Sequence, residues 1–480
     1  MSGTTSILKV DPGASSTGSG TPPPEEPTTV SLYEKWRKIY PLWVSGGFQT
    51  ARRVVLVILL GVFYLGPWLQ WNGKPGVFFD LTHRQFTVFW TTFVPEEFVL
   101  LAWLLLIAAL VLFTVTVAAG RVFCGWACPQ TVWSLVYFTI EKWVEGDRNQ
   151  RMRLDQGPWN AKRIRTKIIK YTLWAAVAFS ISITFVGYFE PIRELFPKIV
   201  RFDLTGWEQF ALLFPAVGSF LLSGVLREQV CFHMCPYARF QSVMFDHDSL
   251  IISYDEKRGD PRGSRRRSAD PADLGLGSCI DCRKCVNVCP TGIDIRDGLQ
   301  YQCIGCAACV DACTDVMTTM GYGESLVRYS SQNRDLGEPT RLLRPRLVGY
   351  ASLIVVLFVA FTSVVSSRIP IGLDIARDRN RLYRQSWDDS VENVYTLRVE
   401  NRDDVAHSYS VKFESGLPLA YEGPETVHIE PGKLASVPIR MILAGEMASE
   451  AFENEDVVFH IQAENKPEIE IEKTSRFHRP

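Results

Sequence analysis

The chain has only seven histidines in 480 residues, and none falls in the five long apolar stretches that could enter a membrane. That excludes a haem held between two histidines inside the bilayer, so the sequence offers no visible wire across it. No cysteine follows Cys313, so the last third of the chain holds no disulfide. The formal charge of −1 shows no basic excess, and nothing points to nucleic acid. No secretory apolar segment opens the chain. Residues 1–30 are Ser, Thr, Gly and Pro with hardly a large apolar side chain. They cannot bury a core and are expected to be a disordered tail.

What is present is concentrated in twelve cysteines. Eight form one pattern written twice: Cys279-x-x-Cys282-x-x-Cys285-x-x-x-Cys289-Pro290, then Cys303-x-x-Cys306-x-x-Cys309-x-x-x-Cys313, thirteen residues apart. This is the spacing of a bacterial two-cluster ferredoxin, in which the fourth Cys of each run crosses to the other cube. It assigns Cys279, Cys282, Cys285 and Cys313 to one 4Fe–4S cluster, and Cys303, Cys306, Cys309 and Cys289 to a second. Three thiolates wrap a tight loop around three corners of a cube, and the fourth is expected to start a short helix leading away. Gly292 and Gly305 would let the backbone approach inorganic sulfide. Two structural Cys₄ zinc sites are the alternative, although zinc normally draws its cysteines from two separated knuckles. The second run ends in Thr314 where the first has Pro290. An iron–sulfur domain also implies a reducing compartment.

Five stretches are long and apolar enough to span a bilayer: Val54–Trp71, Phe98–Ala119, Tyr171–Phe189, Phe210–Leu226 and Leu347–Ser366. Lys and Arg set their direction. Arg52 and Arg53 precede the first span, the loop after the second is densely basic, and Arg265-Arg266-Arg267 follow the fourth. The N-terminus and both large loops are therefore expected in the cytoplasm of a bacterial inner membrane, with the tail in the periplasm.

The spans contain a repeat. The second ends in Arg121-Val-Phe-Cys124-Gly-Trp-Ala-Cys128-Pro129, and the fourth in Arg227-Glu-Gln-Val-Cys231-Phe-His-Met-Cys235-Pro236, 107 residues later. Spans 1–2 and 3–4 read as a duplicated hairpin with both pairs at the surface that faces the clusters. Cysteines four apart share a helical face, and the Pro either ends the span or opens the next helix. Val132, Trp133, Val136, Tyr137, Ile140 and Trp143 predict an amphipathic helix along the interface. Cys124, Cys128, Cys231 and Cys235 could converge on a soft metal, with His233 a further copper-suited ligand. They could equally be small buried cysteines without a cofactor.

After Arg368 the period becomes two. Tyr395, Leu397, Val399; Tyr409, Val411, Phe413; Val437, Ile439, Met441; Phe459, Ile461; and Ile469, Ile471 alternate with polar residues. Turn residues separate these runs, which predicts an Ig-like β-sandwich. His407, His428 and His460 in it could bind metal together or simply be solvated.

The fold class that follows is a multi-domain membrane protein: an α-helical bundle of five spans, a ferredoxin-like two-cluster α+β domain, and a C-terminal β-sandwich. The expected boundaries are 1–30 for the tail, 31–250 for the four-span domain, 251–330 for the ferredoxin domain, 331–367 for a basic connector and fifth span, and 368–480 for the sandwich.

Together these motifs resemble, over nearly the whole length, the cytochrome c oxidase accessory proteins called CcoG, FixG or RdxA. The two membrane Cys-x-x-x-Cys-Pro motifs narrow a generic ferredoxin to membrane polyferredoxins, and the late span with its β-tail narrows these to that family. The resemblance implies reduction of Cu(II) to Cu(I) during assembly of a cbb3-type oxidase, an oxidoreductase activity in which Cys124, Cys128, Cys231 and Cys235 handle the copper. The implied partners are the lipid bilayer, an unidentified cytoplasmic electron donor, and oxidase subunits or copper carriers. An electron carrier serving a quinone or membrane redox partner, and a non-catalytic assembly scaffold, are the other readings the residues permit.

Overall fold

A computed structural model describes residues 38–480 except 72–73, 82–84, 90, 94–96, 342, 379–381, 388, 404, 445–454 and 480. The tail expected over residues 1–30 lies outside the described residues. Helix α1 (Gly47–Leu65) runs into a single 3-10 turn, and two small antiparallel sheets follow. The first pairs β1 (Gln70–Trp71) with β2 (Lys74–Pro75); the second has the order β3 (Val77–Asp80), β4 (Gln85–Val88), β5 (Thr91–Phe93). The chain then continues through α2 (Phe98–Ala119), α3 (Val122–Trp126), α4 (Pro129–Glu145), α5 (Arg148–Gln156), α6 (Ala161–Val186), α7 (Ile192–Arg201) and α8 (Gly206–Ser219).

Among the described residues, five helical segments are long and apolar enough to cross a membrane: Gly47–Trp68, Phe98–Ala119, Ala161–Val186, Gly206–Leu226 and Pro345–Ser366. They carry wide exposed apolar faces, such as Val54, Val57, Ile58 and Val62 on α1 and Leu104, Leu105 and Leu106 on α2. On a bundle, apolar surface of this extent suits lipid rather than water. The second span has the bounds read from sequence. The third starts ten residues earlier than expected, at Ala161. Its first turns are polar, yet Lys167 and Lys170 are buried there on carboxylates of α4, at 2.6 Å and 2.9 Å from Glu145. Hydropathy alone cuts the helix where its ion pairs begin.

Helix α4 departs from its expected place along the lipid interface. Val132, Tyr137 and Ile140 are buried, and the Tyr137 ring meets Trp174 of α6 edge-on at 5.5 Å. Glu141 and Glu145 on the same helix are also buried, where Arg151, Lys167, Lys170 and Arg227 neutralise them. The helix is held in the bundle by charge as well as by apolar packing, while Trp143 projects outward.

The fourth span changes character as it leaves the membrane. Phe220–Leu226 is π-helical, and a second π-helical turn covers Val230–Met234 before α9 (Pro236–Met244). Then β6 (Ile251–Tyr254), α10 (Glu256–Gly259), α11 (Lys284–Asn287), α12 (Ala308–Met320) and β7 (Val327–Ser330) build the ferredoxin unit. β6 pairs antiparallel with β7, and Ile252, Ile295, Val310, Met317 and Leu326 close its core over the cysteine loops. α13 (Gln332–Leu336) and α14 (Pro345–Ser366), the fifth span, lead out of it.

The tail is the expected sandwich of antiparallel strands. One sheet orders β12 (Ala420–Glu422), β14 (Leu434–Leu443), β10 (Val391–Asn401) and β8 (Ile371–Arg377), with β9 (Arg384–Gln385) beside β10. The other orders β13 (Thr426–Ile429), β11 (His407–Ser415), β15 (Glu455–Ala463) and β16 (Glu470–Phe477). Tyr395, Leu397, Val399, Tyr409, Val411, Ile439, Met441, Phe459 and Ile461 form the core between them, as period-two burial requires. Among the described residues all twelve cysteines are free.

The two soluble parts occupy opposite ends of the bundle. The ferredoxin unit meets the start of α1, where the Phe48 and Gln49 amides donate to the Asp311 carboxylate at 3.2 Å and 2.7 Å. The sandwich meets the other end, where Arg368 makes a bidentate pair with Glu97 just ahead of α2, at 2.5 Å and 2.6 Å.

Candidate iron–sulfur and thiol site

The two ferredoxin runs fold alike. Asp281 and Arg283 flank Cys282 with φ of 53° each, and Gly305 and Ala307 flank Cys306 with φ of 66° and 57°. Left-handed residues on both sides of the second cysteine turn successive N–H groups inward, a concavity suited to an anion. Three of these four positions are not glycine, so they carry a strain that a bound anionic group would offset. The helix starts one residue before the third cysteine of each run, at Lys284 and Ala308, rather than at the fourth as expected. α11 stops after four residues ahead of Pro290, while α12 runs for thirteen because Thr314 can continue it.

Cys279, Cys282, Cys285 and Cys313 line one pocket, with Tyr254, Met317 and Leu326. Cys289, Cys303, Cys306 and Cys309 line a second, whose wall Cys285 shares. Each pocket thus gathers cysteines from both runs, Cys313 joining the first and Cys289 the second. Burial pushes the thiols of Cys285 and Cys303 up to about 12 and raises Cys289 and Cys309 as well. Thiols so placed ionise only beside a cationic core, and the residues present fit one. The quartets do not fit single zinc ions. Tetrahedral zinc at ~2.3 Å would set its sulfurs about 3.8 Å apart. Among the described residues the one group of three ligating side chains with donor atoms within 4.8 Å of one another is His460, Glu470 and Glu472.

The membrane pairs repeat each other in backbone detail. The Cys128 amide donates to the Phe123 carbonyl at 2.9 Å, and the Cys235 amide to the Val230 carbonyl at 2.8 Å. Each bond reaches five residues back, so neither pair lies on one uninterrupted α-helical face, contrary to expectation. Cys128 and Cys235 instead cap the N-termini of α4 and α9, with Pro129 and Pro236 at the first helical position, where Pro is best tolerated.

The repeats bring their cysteines together. Cys128 and Cys231 are both charge neighbours of Cys124, and Cys128 and Cys235 are both charge neighbours of Cys231. The Cys124 Sγ donates to Gln241 Oε1 of α9 at 3.2 Å, tying the first pair to the second repeat. Burial pushes the Cys124 thiol up to about 12 and Cys231 to about 11. No three sulfurs of this set fall in a close ligand group among the described residues. His233 is exposed and belongs to no such group among the described residues.

The thiol pairs and the second ferredoxin quartet touch. Cys124 and Cys309 both pack against the buried cluster of Val288, Ile304, Cys306, Ala308 and Ala312. A methyl group on Gly125 would fall 2.6 Å from the Ile304 carbonyl and 2.9 Å from Cys306 Cα, so only glycine allows this approach. Gly305 serves the same contact from the other side: its Cβ would lie 3.1 Å from the Arg121 carbonyl. Its small size therefore accommodates α3 as well as any cluster.

Several residues at this junction carry no sequence signal for it. Gln49 donates to the Cys306 carbonyl at 2.9 Å, and Arg52 to the Gly125 carbonyl at 2.7 Å. Trp126 Nε1 and the Tyr329 hydroxyl both donate to the Gly305 carbonyl, at 3.3 Å and 2.7 Å. In the sequence Arg52 reads only as a topology charge. Its signal is burial, which a charge count does not carry.

The histidines of the sandwich do not converge. His407 is fully buried between Asn465 at 2.7 Å and Asp403 at 2.8 Å, whereas His428 is exposed beside Ser408 and His460 lies opposite Lys412 and Glu472. The joint metal site considered for them is not formed.

Residues 226–332 match the family described as a 4Fe-4S dicluster domain, residues 101–138 a 4Fe-4S binding domain, and residues 361–480 an IG-like fold at the C-terminal of FixG. The chain is 33% identical over 469 residues to the nitrogen fixation protein FixG of Rhizobium meliloti, covering 88% of this chain and 89% of that one. It is 36% identical over 435 residues to the protein RdxB of Cereibacter sphaeroides, covering 87% and 91%. A crystal structure of a FixG-related protein from Vibrio parahaemolyticus aligns at 28% identity over 23% of this chain and 96% of its own, with a TM-score of 0.20. With membrane helices, cysteine runs and β-tail all matched in sequence, the chain belongs to the FixG/RdxA family of membrane-bound 4Fe–4S electron-transfer proteins.

Proposed function

We propose that this protein takes single electrons at its ferredoxin unit and delivers them to a copper ion at the membrane-surface thiols, converting Cu(II) to Cu(I) for assembly of a cbb3-type oxidase. The observation that carries this reading is the close approach of the Cys124–Gly125 backbone to Cys306: Cys124 and Cys309 both pack against the buried cluster that contains Cys306, and glycine at 125 makes room for it.

Cys279, Cys282, Cys285 and Cys313 would hold one 4Fe–4S cluster, and Cys289, Cys303, Cys306 and Cys309 the other. When bound, each cluster supplies one electron at a time. Cys282 is exposed and marks the face where a cytoplasmic donor would dock. Cys285 lines both pockets and links the two quartets. Ile293, Ile304 and Ala308 keep water from the second pocket. Copper is substrate here: one Cu(II) gains one electron and leaves as Cu(I), the ion that thiolates prefer. Cys128 and Cys235, at the N-termini of α4 and α9, would supply soft sulfur ligands beside Cys124 and Cys231. The basic segments on the ferredoxin side support a reading in which this end of the bundle faces the cytoplasm of a bacterial inner membrane and the sandwich faces the periplasm.

The test is Cu(II) reduction by purified, anaerobically reduced protein, with Cu(I) read by a chelator. Wild type is compared with Cys124→Ser/Cys231→Ser, and cluster content is checked in both by electron paramagnetic resonance. The double variant should keep both clusters and lose Cu(I) production at least tenfold. Equal production by both proteins would reject the thiols as the copper site.

A further inference from the structure

One side chain belongs to both redox centres. Arg121 sits at the N-cap of α3, three residues before Cys124. Its guanidinium donates to the Tyr301 carbonyl at 2.5 Å, to the Cys303 carbonyl at 3.5 Å and to the Ala238 carbonyl of α9. It also lies over the Tyr301 ring at 4.9 Å. Its charge reaches Cys303 on the ferredoxin side and Cys124 and Cys231 on the membrane side. The guanidinium is thus wedged between the second quartet and the thiol pairs, and all three of these hydrogen bonds end on neutral carbonyls. No carboxylate is among these partners, so the charge acts on the two cysteine sets.

The matching arginine of the second repeat shows that this placement is not inherent in the motif. Arg227, four residues before Cys231, turns away to Glu141 at 2.7 Å and lies over Trp174. Its charge is spent in the buried ion-pair network. The duplication has kept an arginine ahead of each cysteine pair and directed only one of them at the junction.

We propose that Arg121 is the electrostatic positioning residue of the junction: its fixed charge stabilises the added electron on the second cluster selectively and holds that cluster's loop against Cys124. A cation beside a cluster favours the reduced form, which carries one more negative charge. The first quartet is one cluster further away and should feel the charge much less, since attraction falls with distance. The inference rests on the second quartet holding a cluster and does not need copper to be the substrate.

The experiment is a redox titration of the full-length protein in detergent, followed by electron paramagnetic resonance, on wild type, Arg121→Gln and Arg121→Lys. Arg121→Gln should make one cluster about tenfold harder to reduce, a fall of ~59 mV for one electron, and leave the other near its original potential. Arg121→Lys keeps the charge and should restore most of the shift. Potentials unmoved in Arg121→Gln, or both clusters moved equally, would overturn the proposal. So would Arg121→Lys shifting as far as Arg121→Gln, since geometry rather than charge would then be responsible. If Arg121→Gln fails to retain its clusters, Arg121→Lys decides alone, with an unchanged potential expected. Loss of Cu(I) production without a potential change would count against Arg121 while leaving the copper reading intact.

Discussion

At the scale of the residue, the membrane thiols are set by burial more than by their neighbours. Cys124 is pushed from 9.0 up to about 12 and Cys231 to about 11, with desolvation the largest cause for each. Without metal both are neutral at physiological pH. A thiol raised in this way stabilises the fold fully below its ordinary value near 9 and loses that contribution as pH climbs through the raised one. Soft-metal binding must displace the protons, so Cu(I) affinity should rise between pH 6 and 8 by about tenfold per unit for each proton released. Competition with a chelator of known affinity at several pH values measures this. A flat profile would mean that neither Cys124 nor Cys231 gives up a proton to the metal.

At the scale of the element, the decisive feature is the buried charge on α4. Glu141 accepts from Arg227 at 2.7 Å and lies 3.5 Å from Arg151 and 3.7 Å from Lys170, its side chain fully buried. Replacing it with Leu takes the carboxylate from Arg151 and Arg227 while Lys170 keeps Glu145, and should destabilise by about 3–5 kcal/mol, read as a fall in melting temperature in detergent. Trp143→Ser on the exposed side of the same helix should leave that temperature within a degree or two. A similar fall in both variants would show that α4 is held by its apolar face alone.

These elements also show how far the sequence is legible. The strands of the sandwich and the cysteine loops are local patterns, and period two or Cys spacing is enough to place them. Helix α4 was legible as a helix but not in its location, because Val132, Trp133 and Tyr137 look the same facing lipid or facing Trp174. The small sheets after α1 lack any alternating run long enough to detect; β3 to β5 have only three or four residues each. The junction was illegible for another reason. Gln49, Arg52, Gly125, Gln241 and Tyr329 come from parts of the chain up to 280 positions apart, and no single-sequence pattern joins them.

At the scale of the whole molecule, a few polar contacts fix the two ends of the bundle. At the sandwich end Glu97 takes both Arg368, bidentate, and Arg402 at 3.5 Å. Charge-assisted bonds of this kind contribute about 1.5–3 kcal/mol. Glu97→Gln should therefore free Arg368 and speed tryptic cleavage after it by about tenfold, through more frequent local opening. The sandwich itself should melt as before. An unchanged cleavage rate would show that packing, not this pair, seats the domain.

The Asp311 carboxylate that receives the Phe48 and Gln49 amides in the first turn of α1 has a consequence for how the protein is made. The partners are 263 and 262 positions apart. At 5–20 residues per second, the ribosome takes roughly 13–50 s to supply the second after the first. Throughout that interval the leading helix is already in the bilayer with its first turn unsatisfied. It is completed only when the cysteine-rich segment has been synthesised and folded. Membrane insertion and iron supply thus meet at one side chain, and a chain starved of iron would remain unfinished at the start of α1.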